Sequence, residues 1–187
     1  GVALGVSSGF IFLFVLFGNF FEKTGGGDLF FGLSSAITGR MTGGAAKACV
    51  TASGLYGSVS GSPTADVATT GPLTIPIMKK MGITPARAAA IEATASSGGA
   101  MLPPVMGAVA FIMAETIDVP YVEICKAAAI PALLYFFTAF VMVHLEAGRR
   151  GLLGMPKDQC PNPWTAIRLR WYLILPLAVL VWLLFSG

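Results

Sequence analysis

Gly57-Ser58-Val59-Ser60-Gly61-Ser62-Pro63-Thr64 and, further along, Ser96-Ser97-Gly98-Gly99-Ala100-Met101-Leu102-Pro103-Pro104 are the two stretches that decide the fold. Each interrupts an apolar segment with residues that end helices. In the first, Ala48–Ala65 and Val67–Met78 flank Asp66. Helical up to the 57–63 stretch, these arms would be roughly 16–22 Å long at 1.5 Å per residue. Such arms fall short of a hydrocarbon layer of about 30 Å, so a hairpin entering and leaving by one face is expected over residues 47–83. In the second, paired prolines remove backbone donors and clash with the preceding turn. Residues 84–119 are therefore expected to form a transmembrane helix broken near its middle. Irregular backbone at membrane depth persists only where it is buried in protein or lines a cavity. A short hairpin beside a broken helix is the sequence pointer to a transporter's binding site.

Composition sets the solvent. The chain is 55% hydrophobic and 11% charged, with a mean hydropathy of +0.77. A soluble domain carries roughly 25% charged residues, so the chain is expected to be an all-α polytopic membrane protein whose core faces lipid. It begins at Gly1 inside an apolar run, and is read as a piece of a longer protein. Residues 2–21 lack the basic flank and cleavage site of a signal peptide.

Outward from the breaks, residues 1–24 are expected to span as a helix ended by Glu22 and Lys23. Residues 25–46, apolar but short, suit an interfacial arm. Residues 120–147 and 171–187 supply two further spans, joined by a basic loop over 148–170. Trp164, Trp171 and Tyr172 would form an interfacial aromatic belt. With the hairpin mouth in the cytoplasm, Lys23, Arg40, Lys47, Lys79, Lys80 and Arg87 lie inside. Arg149, Arg150, Lys157, Arg168 and Arg170 return there, and of the twelve Lys and Arg only Lys126 lies outside. That asymmetry follows the positive-inside rule.

Catalytic and metal chemistry find little support. Cys49, Cys125 and Cys160 stand apart without C-x-x-C or Cys/His spacing, and His144 has no evident partner. Cys49 and Cys125 read as small packed residues. An esterase-like Gly-x-Ser-x-Gly elbow fails because Val59 stands between Gly57 and Gly61. No Ser/His/Asp or Cys/His arrangement marks an enzyme, and nothing points to nucleic acid.

The breaks themselves offer hydroxyls, and glycines that free carbonyls to turn toward a ligand. Neutral oxygens of this kind suit sodium, a hard cation. The half-helices beginning after the breaks present positive dipole ends that attract carboxylates. The plainer reading is packing, since Gly57-x-x-x-Gly61 is a small-x-x-x-small pattern common where membrane helices touch. Two acids fall within the membrane zone, where ionisable groups are functional candidates. Asp66 serves either the site or a hydrogen bond that pins the hairpin. Glu92 serves either the site or an ion pair with Arg87 or Lys80.

GSVSGSPTADVATTG (57–71), PLTIPIMKK (72–80) and EATASSGGAMLPPVMGAVAFIMAE (92–115) resemble the large membrane subunit of tripartite ATP-independent periplasmic (TRAP) transporters. The fused-permease, TAXI-associated branch is the nearest likeness, over most of residues 10–150. The resemblance implies inverted repeats, each with a re-entrant hairpin and a broken helix, of which this chain holds one. It implies sodium-coupled elevator uptake of a small organic carboxylate across a bacterial or archaeal inner membrane. A soluble periplasmic substrate-binding protein would deliver the substrate, and a small membrane subunit or fused equivalent would accompany the permease. Sodium would be the coupling ion, with no other cofactor. By motif position, Ser60, Gly61, Ser62, Ser97, Gly98 and Gly99 would form a sodium site, and Ser62, Thr64 and Pro103 would face substrate. Asp66 stands where a neutral residue is expected. A single repeat is not expected to transport alone.

Other classes stay open at this stage: a re-entrant-loop ion channel, a membrane enzyme, and a dicarboxylate elevator transporter that works without a binding protein. A second hairpin and broken helix downstream would favour a transporter over the first two.

Overall fold

The computed structural model describes residues 12–156, 160, 168 and 171–186. Among them the regular structure is helical throughout: α1 (Phe12–Lys23), α2 (Gly26–Thr38), α3 (Gly44–Ser60), α4 (Pro63–Lys80), α5 (Pro85–Gly99), α6 (Ala108–Ile117), α7 (Tyr121–Arg149) and, after a 3-10 turn at Trp171–Leu173, α8 (Ile174–Ser186). Residues 2–11 of the first expected span, and Lys157, Trp164 and Arg170 of the expected loop, lie outside the described residues.

The first break is two residues wide. Gly61 ends α3 at φ 62°, in the left-handed region where glycine carries no Cβ penalty. Ser62 is extended and caps α4, its hydroxyl accepting from the Ala65 amide at 3.4 Å. Pro63 follows at the first helical position, where its missing N–H would have had no intrahelical partner. The arms have 17 and 18 residues, about 26 and 27 Å at 1.5 Å per residue. They exceed the lengths expected from sequence, because α3 continues through Gly57 and α4 tolerates Pro72 and Pro76 in its interior.

The two arms fold back on each other. Ala45, Ala46, Cys49 and Val50 from the start of α3 share one apolar cluster with Met78 near the end of α4, Ala88 of α5 and Val143 of α7. The open end of the hairpin, the start of α5 and the end of α7 therefore lie together. Small residues permit this closeness: Ala48, Cys49 and Ala52 are completely buried. The basic residues gather at the same end, where Glu146 accepts from Arg87 at 3.1 Å and from Arg150 at 3.2 Å.

A second cluster joins Phe21 of α1, Leu29 and Phe30 of α2, Tyr56 and Val59 of α3, and Leu173. The residues expected as an interfacial arm thus form α2 lying along α3, with Gly27, Phe30, Gly32, Ser34 and Thr38 buried.

α7 is the one described helix long and apolar enough to cross a membrane. Its 29 residues extend about 44 Å at 1.5 Å per residue. Ile130, Leu133, Leu134, Phe137, Met142 and Leu145 lie exposed along it, as on a lipid-facing surface. α6 and the segment Trp171–Leu184 are apolar but shorter.

Candidate functional site

The second break runs from Ala100 to Gly107, between α5 and α6. α5 unwinds through two turns, the Met101 amide bonding Gly98 O at 3.0 Å and the Leu102 amide bonding Gly99 O at 3.1 Å. The Pro103-Pro104 bond is cis, and Met106 has φ 55°. Gly107 returns to Ala100 O at 2.8 Å before α6 begins.

The hairpin tip docks into this break. The Val105 amide donates to Ser58 O at 3.0 Å. A Cβ added at Gly61 would lie 2.0 Å from Met106 O, and one at Gly57 would lie 2.5 Å from Gly99 Cα. Backbone thus meets backbone at both levels, which only glycine permits. The N-termini of α4 and α6 both begin at this junction, and among the described residues no side chain caps α6.

The named residues divide around it. Gly61 and Gly99 sit in the junction. Ser60 is half-buried, accepts from the Ser62 amide at 3.3 Å, and faces Gly18 of α1. Ser62 and exposed Thr64 share a 3.1 Å hydroxyl contact, and Pro103 is half-buried in the break. Ser97 is exposed and donates back to Ala93 O at 2.7 Å. Gly98 is packed against Tyr135, whose ring would meet an added Cβ at 2.3 Å.

Tyr121 is the residue that sequence reasoning missed. Its hydroxyl, with one hydrogen to donate, lies within hydrogen-bonding reach of both Pro104 O, at 3.1 Å, and Val105 O, while its ring stacks on Phe111 at 4.3 Å. The Cys125 thiol lies 3.7 Å from the same Pro104 carbonyl. Carbonyls released by the break thereby find donors on α7.

Glu92 corrects an expectation. It forms no ion pair with Arg87 or Lys80; Arg87 is engaged by Glu146. Glu92 is instead completely buried and surrounded by donors. Cys49 Sγ donates to Oε2 at 2.9 Å, Ser53 Oγ to Oε1 at 3.3 Å and Ser96 Oγ to Oε1 at 3.5 Å. Thr70 and Thr74 of α4 reach the two oxygens as well. The local reading failed because Arg87 and Lys80 are neighbours in sequence, whereas helix packing selects partners from α3 and α4.

Asp66 is also completely buried. Its Oδ1 accepts from Thr70 at 3.3 Å. Its Oδ2 has no hydrogen-bond donor and lies where a Cβ on Gly57 would be 3.3 Å away. Ser96 stands beside both acids; its hydroxyl geometry favours Glu92, at 3.5 Å. His144, expected to be alone, has Lys47 Nζ 2.9 Å from its Nδ1, and the ammonium also sits 5.0 Å from the Phe140 ring centre.

The sequence profile described as "Tripartite ATP-independent periplasmic transporter, DctM component" matches residues 5–187. The C4-dicarboxylate TRAP transporter large permease protein of Pseudomonas aeruginosa is 30% identical over 169 residues, covering 89% of this chain and 39% of that protein. The sialic acid TRAP transporter large permease of Vibrio cholerae is 25% identical over 174 residues, covering 93% and 40%. The isethionate TRAP transporter permease of Oleidesulfovibrio alaskensis is 28% identical over 153 residues, covering 79% and 23%. The chain therefore spans two-fifths or less of the length of these relatives. With its profile matched over nearly all its length, the chain belongs to the DctM family, the large permease component of TRAP transporters.

Proposed function

We propose that this chain supplies one repeat of a sodium-coupled importer for a small organic carboxylate, working in a bacterial inner membrane. The observation that carries the reading is the docking of the hairpin tip into the break, where Val105 bonds Ser58 O and two helix N-termini begin. Helix N-termini favour anions through their unsatisfied N–H groups and dipoles. The relatives are named for C4-dicarboxylates, sialic acid and isethionate, all organic anions at neutral pH.

In this proposal Ser60, Gly61, Ser62, Ser97, Gly98 and Gly99 serve sodium, the glycines through carbonyl oxygens that retain a second lone pair. Ser62, whose hydroxyl caps α4 and meets Thr64, stands with Thr64 and Pro103 on the substrate side. The hairpin is re-entrant and opens to the cytoplasm beside Lys79, Lys80 and Arg87, as the positive-inside rule favours. A second, inverted repeat completes the site and moves by an elevator step. A periplasmic binding protein delivers substrate, and a small membrane subunit or its fused equivalent holds the scaffold.

Uptake by the full-length protein in proteoliposomes tests this, with sodium and a candidate binding protein each added and withheld. Accumulation that needs both is expected. Uptake indifferent to sodium refutes the coupling; uptake that needs sodium but no binding protein selects an independent elevator carrier.

A further inference from the structure

The pair of buried acids lies between α3, α4 and α5, and its side-chain hydrogen bonds go to Cys49, Ser53, Thr70, Thr74 and Ser96 rather than to the break over 100–107. Asp66 and Glu92 are both completely buried, and a single side chain, Thr70, touches each. Burying two like charges together without a cation is strongly unfavourable in a low-dielectric interior.

The cations nearby are engaged elsewhere. Lys47 of α3 is held by His144 and Phe140 of α7, and Arg87 of α5 by Glu146 of α7. Lys79 and Lys80 of α4 and Asp28 of α2 are exposed. The other titratable groups facing the pair come from α3: Cys49, which donates its thiol hydrogen to Glu92, and Tyr56, whose phenol accepts from Thr69 at 3.3 Å. Neither supplies positive charge.

Counting hydrogens sharpens the point. Thr70 Oγ1 lies 2.9 Å from Asp66 O, 3.3 Å from Asp66 Oδ1 and in contact with Glu92 Oε1. A hydroxyl has one hydrogen to donate, so ionised acids on both sides would leave acceptor facing acceptor. Asp66 Oδ2, fully buried and without a donor in hydrogen-bonding geometry among the described residues, is a second unfilled position.

We propose that Asp66 and Glu92 hold one proton between them across the Thr70 hydroxyl, at a site separate from the two breaks. With the proton on Glu92, Glu92 donates to Thr70 and Thr70 donates to Asp66. With the proton on Asp66, both bonds reverse. Two coupled transfers therefore pass the proton between α5 and α4: the Glu92 O–H bond breaks as its hydrogen bonds Thr70 Oγ1, and the Thr70 O–H bond breaks as its hydrogen bonds Asp66 Oδ1. The proton comes from water.

Infrared difference spectroscopy of the full-length protein in lipid nanodiscs, in H2O and D2O, tests this. At neutral pH a protonated carboxylic-acid carbonyl band is expected, lost on raising the pH. The band should be missing from the doubly substituted Asp66→Asn, Glu92→Gln protein, which keeps side-chain size. Thr70→Val should shift it by removing the bridge. A parent protein without a titrating carboxylic-acid band overturns the proposal whatever the variants do. So does a band unmoved by Thr70→Val, or a pair of carboxylate bands that shift on adding sodium at neutral pH.

Discussion

Gly57 of α3 and Gly99 of α5 touch backbone to backbone: a Cβ added to the first would lie 2.5 Å from the second's Cα, and the reverse distance would be 2.6 Å. Real side chains do not tolerate such distances, so alanine at either position must push the helices apart. The hairpin tip would then lose its seat in the second break.

Gly57→Ala and Gly99→Ala are each expected to destabilise the full-length protein by about 1–3 kcal/mol, the usual cost of overpacking a filled site. Gly148, with nothing within 4 Å of an added Cβ, is the control in α7. Alanine there should leave stability unchanged or raise it by up to about 1 kcal/mol through the lost flexibility of glycine. Thermal unfolding in detergent measures all three. Equal melting temperatures for Gly57→Ala and the parent would show that the contact yields.

Tyr121→Phe separates the hydroxyl from the ring. The stack on Phe111 survives, while Val105 O loses its donor and Pro104 O keeps only the Cys125 thiol, 3.7 Å away. A buried carbonyl left unpaired costs about 1–3 kcal/mol, and Tyr121 is half-buried, so the lower end is expected. The loss should appear in thermal stability, and in faster hydrogen exchange at Val105 to Gly107. Exchange unchanged there would mean that the break keeps its shape without Tyr121.

The two breaks were legible because their signals are local: a glycine, a capping serine and a proline within three residues, and a proline pair. The lengths of the arms were not, since Gly57 reads as a breaker in sequence but packs as a helical residue against Gly99. Partners distant in sequence were also hidden. Glu92 takes its donors from Cys49, Ser53, Thr70 and Thr74, and His144 meets Lys47 across 97 positions. Such pairs follow from how helices pack, and one sequence does not state that packing. Within Gly57-x-x-x-Gly61, Gly57 packs against Gly99, as the packing reading expects, and Gly61 turns the chain.

The membrane orientation can be read with introduced cysteines. Native Cys49 and Cys125 are buried and should react poorly with any thiol reagent. Lys126 and Gly148, near opposite ends of α7, are exposed. Lys126 pairs with Glu123 on the surface, at 2.7 Å, a contact worth about 0–1 kcal/mol, so its replacement should be harmless. An impermeant reagent outside intact cells should label Lys126→Cys and spare Gly148→Cys until the cells are opened. The opposite pattern would invert the orientation.

The ion site separates from the packing reading through three serines. Ser60 accepts one bond from the Ser62 amide, and Ser97 donates one to its own helix. Neither is wedged between helices as Gly57 is, so alanine at either position should cost little stability. If their oxygens bind sodium, each substitution removes a ligand while leaving the backbone path unchanged. Ser60→Ala and Ser97→Ala in the full-length transporter are then expected to weaken sodium activation of uptake about tenfold, equivalent to roughly 1.4 kcal/mol. Ser58 is the internal control: it is buried and its hydroxyl donates to Leu55 O at 2.8 Å, away from any proposed ligand. Ser58→Ala should alter stability without changing the sodium dependence. Sodium activation that stays at the parent's level in both the Ser60 and Ser97 variants would remove these residues from the ion site. The hydroxyls would then be left with the local backbone bonds they already make.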